Sequence, residues 1–492
     1  MQADLHSFPD FAALNAYLEQ LGLFRMTPGL ERMRAMLERL GLIRPPFAVV
    51  QVVGTNGKGS TSTMLESLAR THGLKTGLHA SPHFLSVRER VRVNGEMLSG
   101  PAWAALGGTL LRNGGKELSY FEFVTCLAVL AFAEAGVDVA VMETGLGGSF
   151  DATTALEADM VVFTPFALDH QAVLGLTLEQ IAEDKAGAVR QGRPVVSAPQ
   201  RPEARRQIVR AADAKGAVLI ELPPLQTLKT GLPEDVRVES LPKENADQLR
   251  SAGIPCPGLA GAHQRENARL ALAAWNTLLH GAEEAQFPGP DARKTIAEAR
   301  ASKGAWDMEK QALENSWLPG RMQAVPAFQP GPGDFRPCEL GWPPLLLDGA
   351  HNSHGLAALG LSLARAGIAP LAVIFACLAD KDLKEIVPHL RALATGLIVV
   401  PPIADNPRAM PPVELAAQIG LNALAADSLA NAFIIAAEHM AGRMPEVFAP
   451  EPRPTAARNP LLICGSLYLL GEFYALRPDC LLKQSSPERF LR

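Results

Sequence analysis

The alternation of short apolar runs with helix-patterned segments is the feature that most restricts the fold of this chain. The runs AVVQVV at 48–53, VAVME at 139–143 and MVVF at 160–163 are apolar without a period of two, which is typical of strands covered on both faces. Helix-patterned segments separate these runs, beginning with STSTMLESLARTHG after the first one. This order predicts βα units on a parallel sheet, so the first domain should be α/β.

The chain of 492 residues is too long for one ordinary hydrophobic core, because single domains rarely exceed roughly 250 residues. Before residue 344 helix-patterned sequence gives way to FQPGPGDFRPCELGWPP, whose proline and glycine content is typical of surface connections. The alternation then restarts with four further apolar runs, PLLLD, LAVIFA, GLIVV and LLICGS. We therefore predict two domains: residues 1–315, with a parallel central sheet, and a smaller Rossmann-like α/β domain of residues 316–492.

The composition and the net charge exclude several classes of protein. Hydrophobic residues make up 48% and charged residues 20% of the chain, as expected of a soluble globular protein. The net charge of −5 gives no general attraction for nucleic acid or for an anionic membrane, and no apolar run reaches the roughly 20 residues that span a bilayer. The six cysteines form no CxxC pair. We expect a cytoplasmic protein with free thiols and with neither a membrane nor a nucleic-acid partner.

The glycine-rich loop GTNGKGS, residues 54–60, lies between the first predicted strand and a helix. Its spacing is shorter than that of the common phosphate loop, G-x-x-x-x-G-K-[ST]. A strand, a glycine-rich turn and a helix are nevertheless the context in which main-chain N–H groups and the positive helix end converge on an anion. Lys58 would add a charge for the outer phosphates and Ser60 a hydroxyl. A turn without a ligand is the alternative; we interpret the loop as a phosphate loop, which makes the first domain P-loop ATPase-like.

Further polar residues follow the predicted strands and helices. Glu143 ends the run VAVME, and Asp169 and His170 come after MVVFTPFAL, so they belong to the edge where open α/β sheets bind ligands. A carboxylate and an imidazole near a triphosphate suit Mg²⁺ or a metal of similar hardness, although Mg²⁺ prefers oxygen ligands to imidazole. A salt-bridged or helix-capping carboxylate and a packed histidine are the alternatives. Lys185, in EDKAGAVR, is by itself expected to be a solvated surface residue.

The motifs taken together resemble those of folylpolyglutamate synthase, including the bacterial bifunctional form that is also dihydrofolate synthase, within the Mur ligase superfamily. The resemblance covers nearly the whole chain and rests on GTNGKGS, SPH, RERVRVNGE, LSYFEFVT, ETGLGGSFDAT, ALDH, EDKAGAV, GAHQRENARLAL, PGRMQ, LLLDGAHN, LADKD and CGSLYLLGE. The Mur ligases of cell-wall synthesis share the short phosphate loop and the lysine, whereas the SPH, YFE, GLGG and DGAHN stretches resemble the folate branch. The resemblance implies an ATP-dependent acid–amino-acid ligase.

The resemblance implies that ATP is bound by residues of both predicted domains and the metal by residues of the first. The nucleotide would be bound by Gly57, Lys58, Gly59, Ser60, Asn267, Arg321 and Asp348. Two Mg²⁺ ions would be held by Ser81, Glu143 and His170. Lys185 matches a lysine that is carbamylated in the family, which turns a cation into a carboxylate-like neighbour of the metal and requires an uncharged amine. The implied catalytic residues are Lys58, Lys185 and His170.

The resemblance also implies a pterin site. Aromatic faces suit a flat heterocycle, and the implied residues are Tyr120, Phe121, Glu122, Phe123, Phe150, Asp151 and Ala152. An aromatic cluster that merely packs at a helix start is the alternative. Two places depart from the family pattern: Thr27-Pro28 replaces an expected acidic residue, and Ser149 stands where the family usually has arginine. The loss of that cation leaves open how anions are held locally and whether both activities of the bifunctional form are present.

The implied reaction joins L-glutamate to dihydropteroate, to the glutamate tail of reduced folates, or to both. A substrate carboxylate would attack the γ-phosphate of ATP to give an acyl phosphate, which the amine of L-glutamate would then attack. A Mur-type amino-acid ligase of cell-wall precursor synthesis and a non-catalytic nucleotide-binding switch are the alternatives. We expect the enzyme to act as a monomer.

Overall fold

The chain forms two α/β units, each built on its own sheet. In the computed structural model the first unit comprises Met1–Gly258 and Arg265–Ser316, and the second comprises Leu259–Gln264 and Trp317–Arg492. The predicted fold class, two mostly parallel α/β domains, is confirmed. Thr27 and Pro28 lie outside the residues that the structure describes, which are 7–22, 29–225, 257–283, 290–300, 305–331, 334–404, 406–420, 422–444 and 459–482.

The first unit contains an eight-stranded sheet within its described residues. Its strands are β1 (Ala48–Val53), β2 (Thr76–His79), β3 (Val91–Val93), β4 (Glu96–Met97), β5 (Val139–Glu143), β6 (Met160–Phe163), β7 (Val195–Ser197) and β8 (Leu219–Glu221). They are arranged in the order β4-β3-β2-β5-β1-β6-β7-β8. Strand β1 pairs in parallel with both neighbours, Val52 beside Glu143 and Val53 beside Phe163. The ends of β5, β1 and β6 therefore meet at one edge, where open α/β sheets bind ligands.

The central strands agree with the sequence prediction. The predicted runs 48–53, 139–143 and 160–163 are β1, β5 and β6, and every residue in them is buried, as expected when helices cover both faces. The antiparallel strands β3 and β4 at one edge of the sheet were not predicted. Asn94 and Gly95, which join them, have φ values of 51° and 81°. Two successive positive φ values favour Asn-Gly in a two-residue hairpin, so the signal was present in the sequence.

Helices surround this sheet. They are α1 (Phe11–Leu21), α2 (Glu31–Arg39), α3 (Lys58–Thr71), α4 (Gly100–Arg112), α5 (Tyr120–Ala135), α6 (Gln171–Leu174), α7 (Leu178–Ala186), α8 (Pro202–Ala214), α9 (Ala262–Glu283), α10 (Pro290–Arg300) and α11 (Ala305–Asn315). One buried apolar cluster joins α1, α2, α4 and α5, and another joins α7 and α8 to β6 and β7. Helix α3, which follows the phosphate loop, contacts α11 through a hydrogen bond of 2.8 Å from Ser67 Oγ to the Ala312 carbonyl. The helix that follows the phosphate loop is therefore held in place by packing against α11.

The second unit contains a six-stranded sheet within its described residues. Its strands are β9 (Gln323–Val325), β10 (Leu345–Leu347), β11 (Ala372–Phe375), β12 (Leu397–Val400), β13 (Ala423–Ala425) and β14 (Leu461–Cys464), and its helices are α12 (Ser353–Ala366), α13 (Leu383–Leu393), α14 (Pro412–Ile419), α15 (Leu429–Arg443) and α16 (Leu467–Leu476). The order is β13-β12-β11-β14-β10-β9, and β9 alone among these runs antiparallel to its neighbour. The four predicted apolar runs contain β10, β11, β12 and β14. No helix in the described ranges is long and apolar enough to cross a membrane.

Candidate active site

The phosphate loop joins the end of β1 to the start of α3. Gly57 precedes the helix with a φ of 92°, which favours glycine, and a Cβ there would collide with the amide of Asn267. A Cβ at Gly54 would collide with the hydroxyl of Thr164. Among the described residues no side chain caps the N-terminus of α3. The loop is therefore a tight backbone cradle at a helix N-terminus, with Asn267, a predicted nucleotide contact, lying against it.

Two lysine side-chain nitrogens share one backbone carbonyl at this loop. Lys58 Nζ donates to the Gly54 oxygen at 3.2 Å and to the Thr55 oxygen at 3.4 Å. Lys185 Nζ donates to the same Gly54 oxygen at 3.0 Å. Lys185 is only 4% exposed, so the expectation of a solvated surface lysine is wrong. Lys185 lies in the last turn of α7, and it is buried against Gly54, which is 131 residues away in sequence.

The surroundings of Lys185 favour its neutral form. Burial, and then the charge of Lys58, lower the pKa of Lys185 to about 7, against a weaker opposing effect of Asp184, Asp169 and Asp151. Its Nζ also lies 6.0 Å from the centre of the Phe166 ring. With a pKa of about 7 the amine is partly neutral near neutral pH and can act as a nucleophile, whereas an ordinary surface lysine is almost fully protonated there.

The predicted metal ligands lie at the end of β5 and after the ends of β2 and β6. The backbone N–H of Ser81 donates to Glu143 Oε2 at 3.1 Å, and Glu143 is the buried last residue of β5. His170 has a φ of 51°, which is uncommon outside glycine and is often found at functional sites, and its N–H donates to Asp169 Oδ1 at 2.9 Å. Among the described residues no three His, Cys, Asp or Glu side chains are close enough to hold a metal by themselves. A buried carboxylate beside a serine at the phosphate loop nevertheless fits a hard, oxygen-preferring cation that phosphate oxygens also bind.

The aromatic residues at the start of α5 divide between the site and the core. The Arg90 guanidinium carbon lies 5.5 Å from the centre of the Tyr120 ring. The Phe121 ring lies 5.6 Å from that of His79 and covers the backbone at Gly145, where a Cβ would collide with it. Phe123 is fully buried and packs on Tyr17. Helical geometry therefore turns Phe123 away from Phe121 and into the core.

Glu122 is held by two structural contacts. Its Oε2 accepts the N–H of Ser119 at 2.8 Å in a capping box at the start of α5. Its Oε1 accepts from Arg32 of α2 at 2.9 Å, and its side chain is 6% exposed. Glu122, predicted to contact the pterin, is thus engaged in joining α2 to α5.

We expect Glu122→Ala to lower the free energy of unfolding by about 2–4 kcal/mol, because it leaves the Arg32 guanidinium and the Ser119 N–H without this carboxylate. Urea denaturation measures the change. The matched control is Glu157→Ala, from an ion pair with Arg44 in which both side chains are more than half exposed. That change should be below about 1 kcal/mol. Equal losses of unfolding free energy in the two variants would contradict the structural role of Glu122.

The segment after the GLGG loop carries the other predicted pterin residues. Asp151 accepts the N–H groups of Gly145 and Leu146 at 2.8 and 2.9 Å, and burial raises its pKa. Ala152 begins a buried 3₁₀ turn, whereas Phe150 is 63% exposed. Ser149 Oγ donates to the Asp184 carbonyl at 2.9 Å. The residue in place of the usual arginine therefore ties this segment to the end of α7, close to Lys185.

In the second unit, two predicted nucleotide residues lie side by side. Asp348 follows β10 and accepts the N–H groups of Met322 and Ala350, both at 2.8 Å. A Cβ at Gly349 would collide with the Arg321 guanidinium, which donates to the Gly320 carbonyl at 3.0 Å. His263 was not predicted as a site residue. Arg321 and Asp348 both act on its pKa, which burial lowers. The motif GAHQREN contains it, and only the fold shows its neighbours.

Comparisons with known proteins agree with the motifs. A sequence model of the family described as Mur ligase, glutamate ligase domain matches residues 341–444. The dihydrofolate synthase/folylpolyglutamate synthase of Escherichia coli is 30% identical over 461 residues, which are 93% of this chain and 93% of that protein. The structure of E. coli FolC in complex with DHPP and ADP has a TM-score of 0.71 at 27% identity and covers 96% of this chain and 98% of that one. The bifunctional enzyme of Yersinia pestis complexed with AMPPNP and Mn ion also has a TM-score of 0.71, at 27% identity over 95% and 98% of the two chains.

These similarities extend over nearly the full length of each protein, so they concern the whole architecture and not the phosphate loop alone. The resemblance inferred from the motifs is thereby confirmed. The chain belongs to the dihydrofolate synthase/folylpolyglutamate synthase family.

Proposed function

We propose that this protein is an ATP-dependent ligase that joins L-glutamate to dihydropteroate, to the glutamate tail of reduced folates, or to both. The observation that carries the proposal is the pair of lysines on the Gly54 carbonyl, at a phosphate loop whose neighbouring strand ends in Glu143. The E. coli relative is named for both activities, and its similar structure contains DHPP and ADP. A switch that only binds nucleotide does not require a second, buried lysine at the phosphate loop.

The first chemical step is phosphoryl transfer. A carboxylate oxygen of the pterin substrate attacks the γ-phosphorus of ATP, the bond to the β-γ bridging oxygen breaks, and ADP leaves. The loop N–H groups and the Lys58 ammonium oppose the charge that spreads over the phosphate oxygens. Asn267, on α9, lies against the loop at Gly57. We assign Gly57, Gly59 and Ser60 to nucleotide binding, and Arg321 and Asp348 stay predicted nucleotide-binding residues.

The second step forms the amide. The amine nitrogen of L-glutamate attacks the acyl carbon, the bond from that carbon to the phosphate oxygen breaks, and inorganic phosphate leaves.

The divalent metal, two ions in our proposal, would be held by Ser81, Glu143 and His170. When bound, these ions would neutralise phosphate charge. The Y. pestis structure with AMPPNP and Mn ion supports a divalent metal. We also propose that Lys185 is carbamylated, because its buried amine, whose pKa is lowered to about 7, is partly neutral and so meets the chemical requirement for attack on CO₂.

For the pterin we propose the surface formed by Tyr120, Phe121, Phe150 and Asp151, with Ala152 beside them. The four positions 120–123 are not equivalent, since Glu122 and Phe123 make structural contacts. The domain limits 1–315 and 316–492, the monomeric state and the cytoplasmic location stay predictions.

The proposal is tested by incubating the purified protein with ATP, Mg²⁺ and labelled L-glutamate, with dihydropteroate or tetrahydrofolate as acceptor. Formation of labelled product on either acceptor, with one ADP released per amide, supports the proposal. The ratio of the rates with dihydropteroate and tetrahydrofolate shows whether both activities are present despite Ser149. A cell-wall nucleotide-sugar peptide as acceptor tests the Mur-type alternative. Turnover of neither pterin contradicts the proposal.

We expect Glu143→Gln to raise the Mg²⁺ concentration for half-maximal activity by about a hundredfold, because a neutral amide replaces a buried carboxylate ligand. A Mg²⁺ titration of the ligase rate measures this. Glu157→Gln, at an exposed carboxylate, is the control and should match the wild type. An unchanged Mg²⁺ dependence in Glu143→Gln would remove this residue from the metal site.

A further inference from the structure

The loop between β2 and the 3₁₀ turn Val87–Arg90 carries a histidine, His83, to which the mechanism above gives no role. One carboxylate, that of Glu89, holds this loop in place. It accepts the backbone N–H groups of Phe84, Leu85 and Ser86 at 2.8, 2.7 and 2.8 Å. Three hydrogen bonds from successive residues fix the backbone, so the loop that carries His83 is preorganised.

The protonation state of the His83 ring follows from its contact with Arg90. Arg90 Nε donates to His83 Nδ1 at 2.8 Å. A guanidinium has no acceptor and stays protonated in proteins, so Nδ1 must carry the lone pair and the ring proton must be on Nε2. His83 is therefore a neutral N–H donor of fixed tautomer.

Contacts connect the His83 loop to both parts of the proposed site. Across the sheet the order β2-β5-β1 puts the His83 loop next to Glu143 and the phosphate loop one strand further on. Ser81, two residues before His83, contacts Glu143 at 3.1 Å. On the other side Arg90 lies 5.5 Å from the centre of the Tyr120 ring, on the proposed pterin surface. The substrate carboxylate must lie between its pterin ring and the phosphates, and the His83 loop is linked to Glu143 through Ser81 and to Tyr120 through Arg90.

We propose that His83 donates its Nε2–H to the carbonyl oxygen of the acyl phosphate, and that Arg90 is a positioning residue that fixes the tautomer. This inference rests on the proposed function. As the amine nitrogen of L-glutamate forms its bond to the acyl carbon, the carbonyl electron pair moves to the oxygen, whose charge the N–H stabilises. The C=O bond then re-forms, phosphate leaves with the electrons of its C–O bond, and the amine proton passes to water.

A pair of amide substitutions separates this role from a structural one. In His83→Gln the amide nitrogen reaches the place of Nε2, whereas in His83→Asn the amide oxygen takes the place of Nδ1 and keeps the acceptor for Arg90. We expect His83→Asn to lower kcat by about a hundredfold with little change in the KM for dihydropteroate, and His83→Gln to retain most of kcat. Steady-state kinetics with saturating ATP and L-glutamate measure both constants.

The relative kcat values of the two variants distinguish a hydrogen-bond donor to the acyl phosphate from an acceptor for Arg90. A residue that serves only as the acceptor for Arg90 would give the reverse order, with His83→Asn active and His83→Gln impaired, and that result overturns the inference. Wild-type kcat in both variants overturns it as well. A wild-type protein that turns over neither pterin overturns the proposed function and this inference with it, so the two failures are distinct. In ¹⁵N NMR of the histidine-labelled protein, a His83 ring protonated on Nδ1 contradicts the tautomer assignment directly.

Discussion

Lys58→Ala should lower kcat for amide formation by about a thousandfold or more, because it removes the side-chain cation of the phosphate loop. Lys58 is the first residue of α3, and its Nζ is held 3.2 Å from the Gly54 carbonyl oxygen. The charge is therefore already in place when phosphates bind. Phosphoryl transfer depends on positioning and on charge neutralisation, and water would replace the lysine poorly in a loop whose other donors are backbone N–H groups. Coupled release of ADP and formation of labelled product measure the loss.

A lysine elsewhere in the same unit provides the control for this variant. Lys294, on α10, is 77% exposed and pairs only loosely with Glu298, at 3.9 Å. Lys294→Ala should keep wild-type kcat, and both variants should keep the wild-type melting temperature, since neither lysine is part of the core. A Lys58→Ala enzyme with kcat within about tenfold of the wild type would contradict the assignment of GTNGKGS as the catalytic phosphate loop.

The sequence predicted the parts of the site that depend on local order along the chain. Strand, glycine-rich loop and helix are consecutive, and the left-handed φ of Gly57 follows from that succession. Glu143 could be placed because the last residue of a buried parallel strand reaches the ligand-binding edge whatever the rest of the fold does. The neighbours of β1 were not part of this prediction, since apolar runs do not encode strand order.

The contacts that give the site its chemistry join residues far apart in sequence. EDKAGAVR by itself predicts a solvated lysine, yet Lys185 is buried against Gly54, 131 positions away. In the sequence, Glu122 is one of four predicted site residues in YFEF. The structure shows that Arg32, 90 positions away, donates a hydrogen bond to its carboxylate. In each case the charge environment of a side chain is a property of the tertiary fold, which periodicity and spacing do not contain.

Lys185→Ala should also lower kcat by about a thousandfold, and the added compound that restores activity should identify the missing group. If Lys185 acts as a carbamate, a small carboxylate such as acetate should restore part of the rate by occupying the space; if it acts as a cation, methylammonium should do so. We expect rescue by acetate. Lys215→Ala, at an exposed lysine that ends α8, is the control and should need neither.

The pH dependence of the wild type gives the same test without substitution. Because the pKa of Lys185 is lowered to about 7, its amine is protonated below that pH and neutral above it. Only the neutral amine attacks CO₂, so at limiting bicarbonate the rate of activation should rise from about pH 6 to about pH 8, and a mass gain of one carbamate should appear with it. Activation that ignores bicarbonate across this range, or rescue of Lys185→Ala by methylammonium alone, would assign Lys185 the role of a cation.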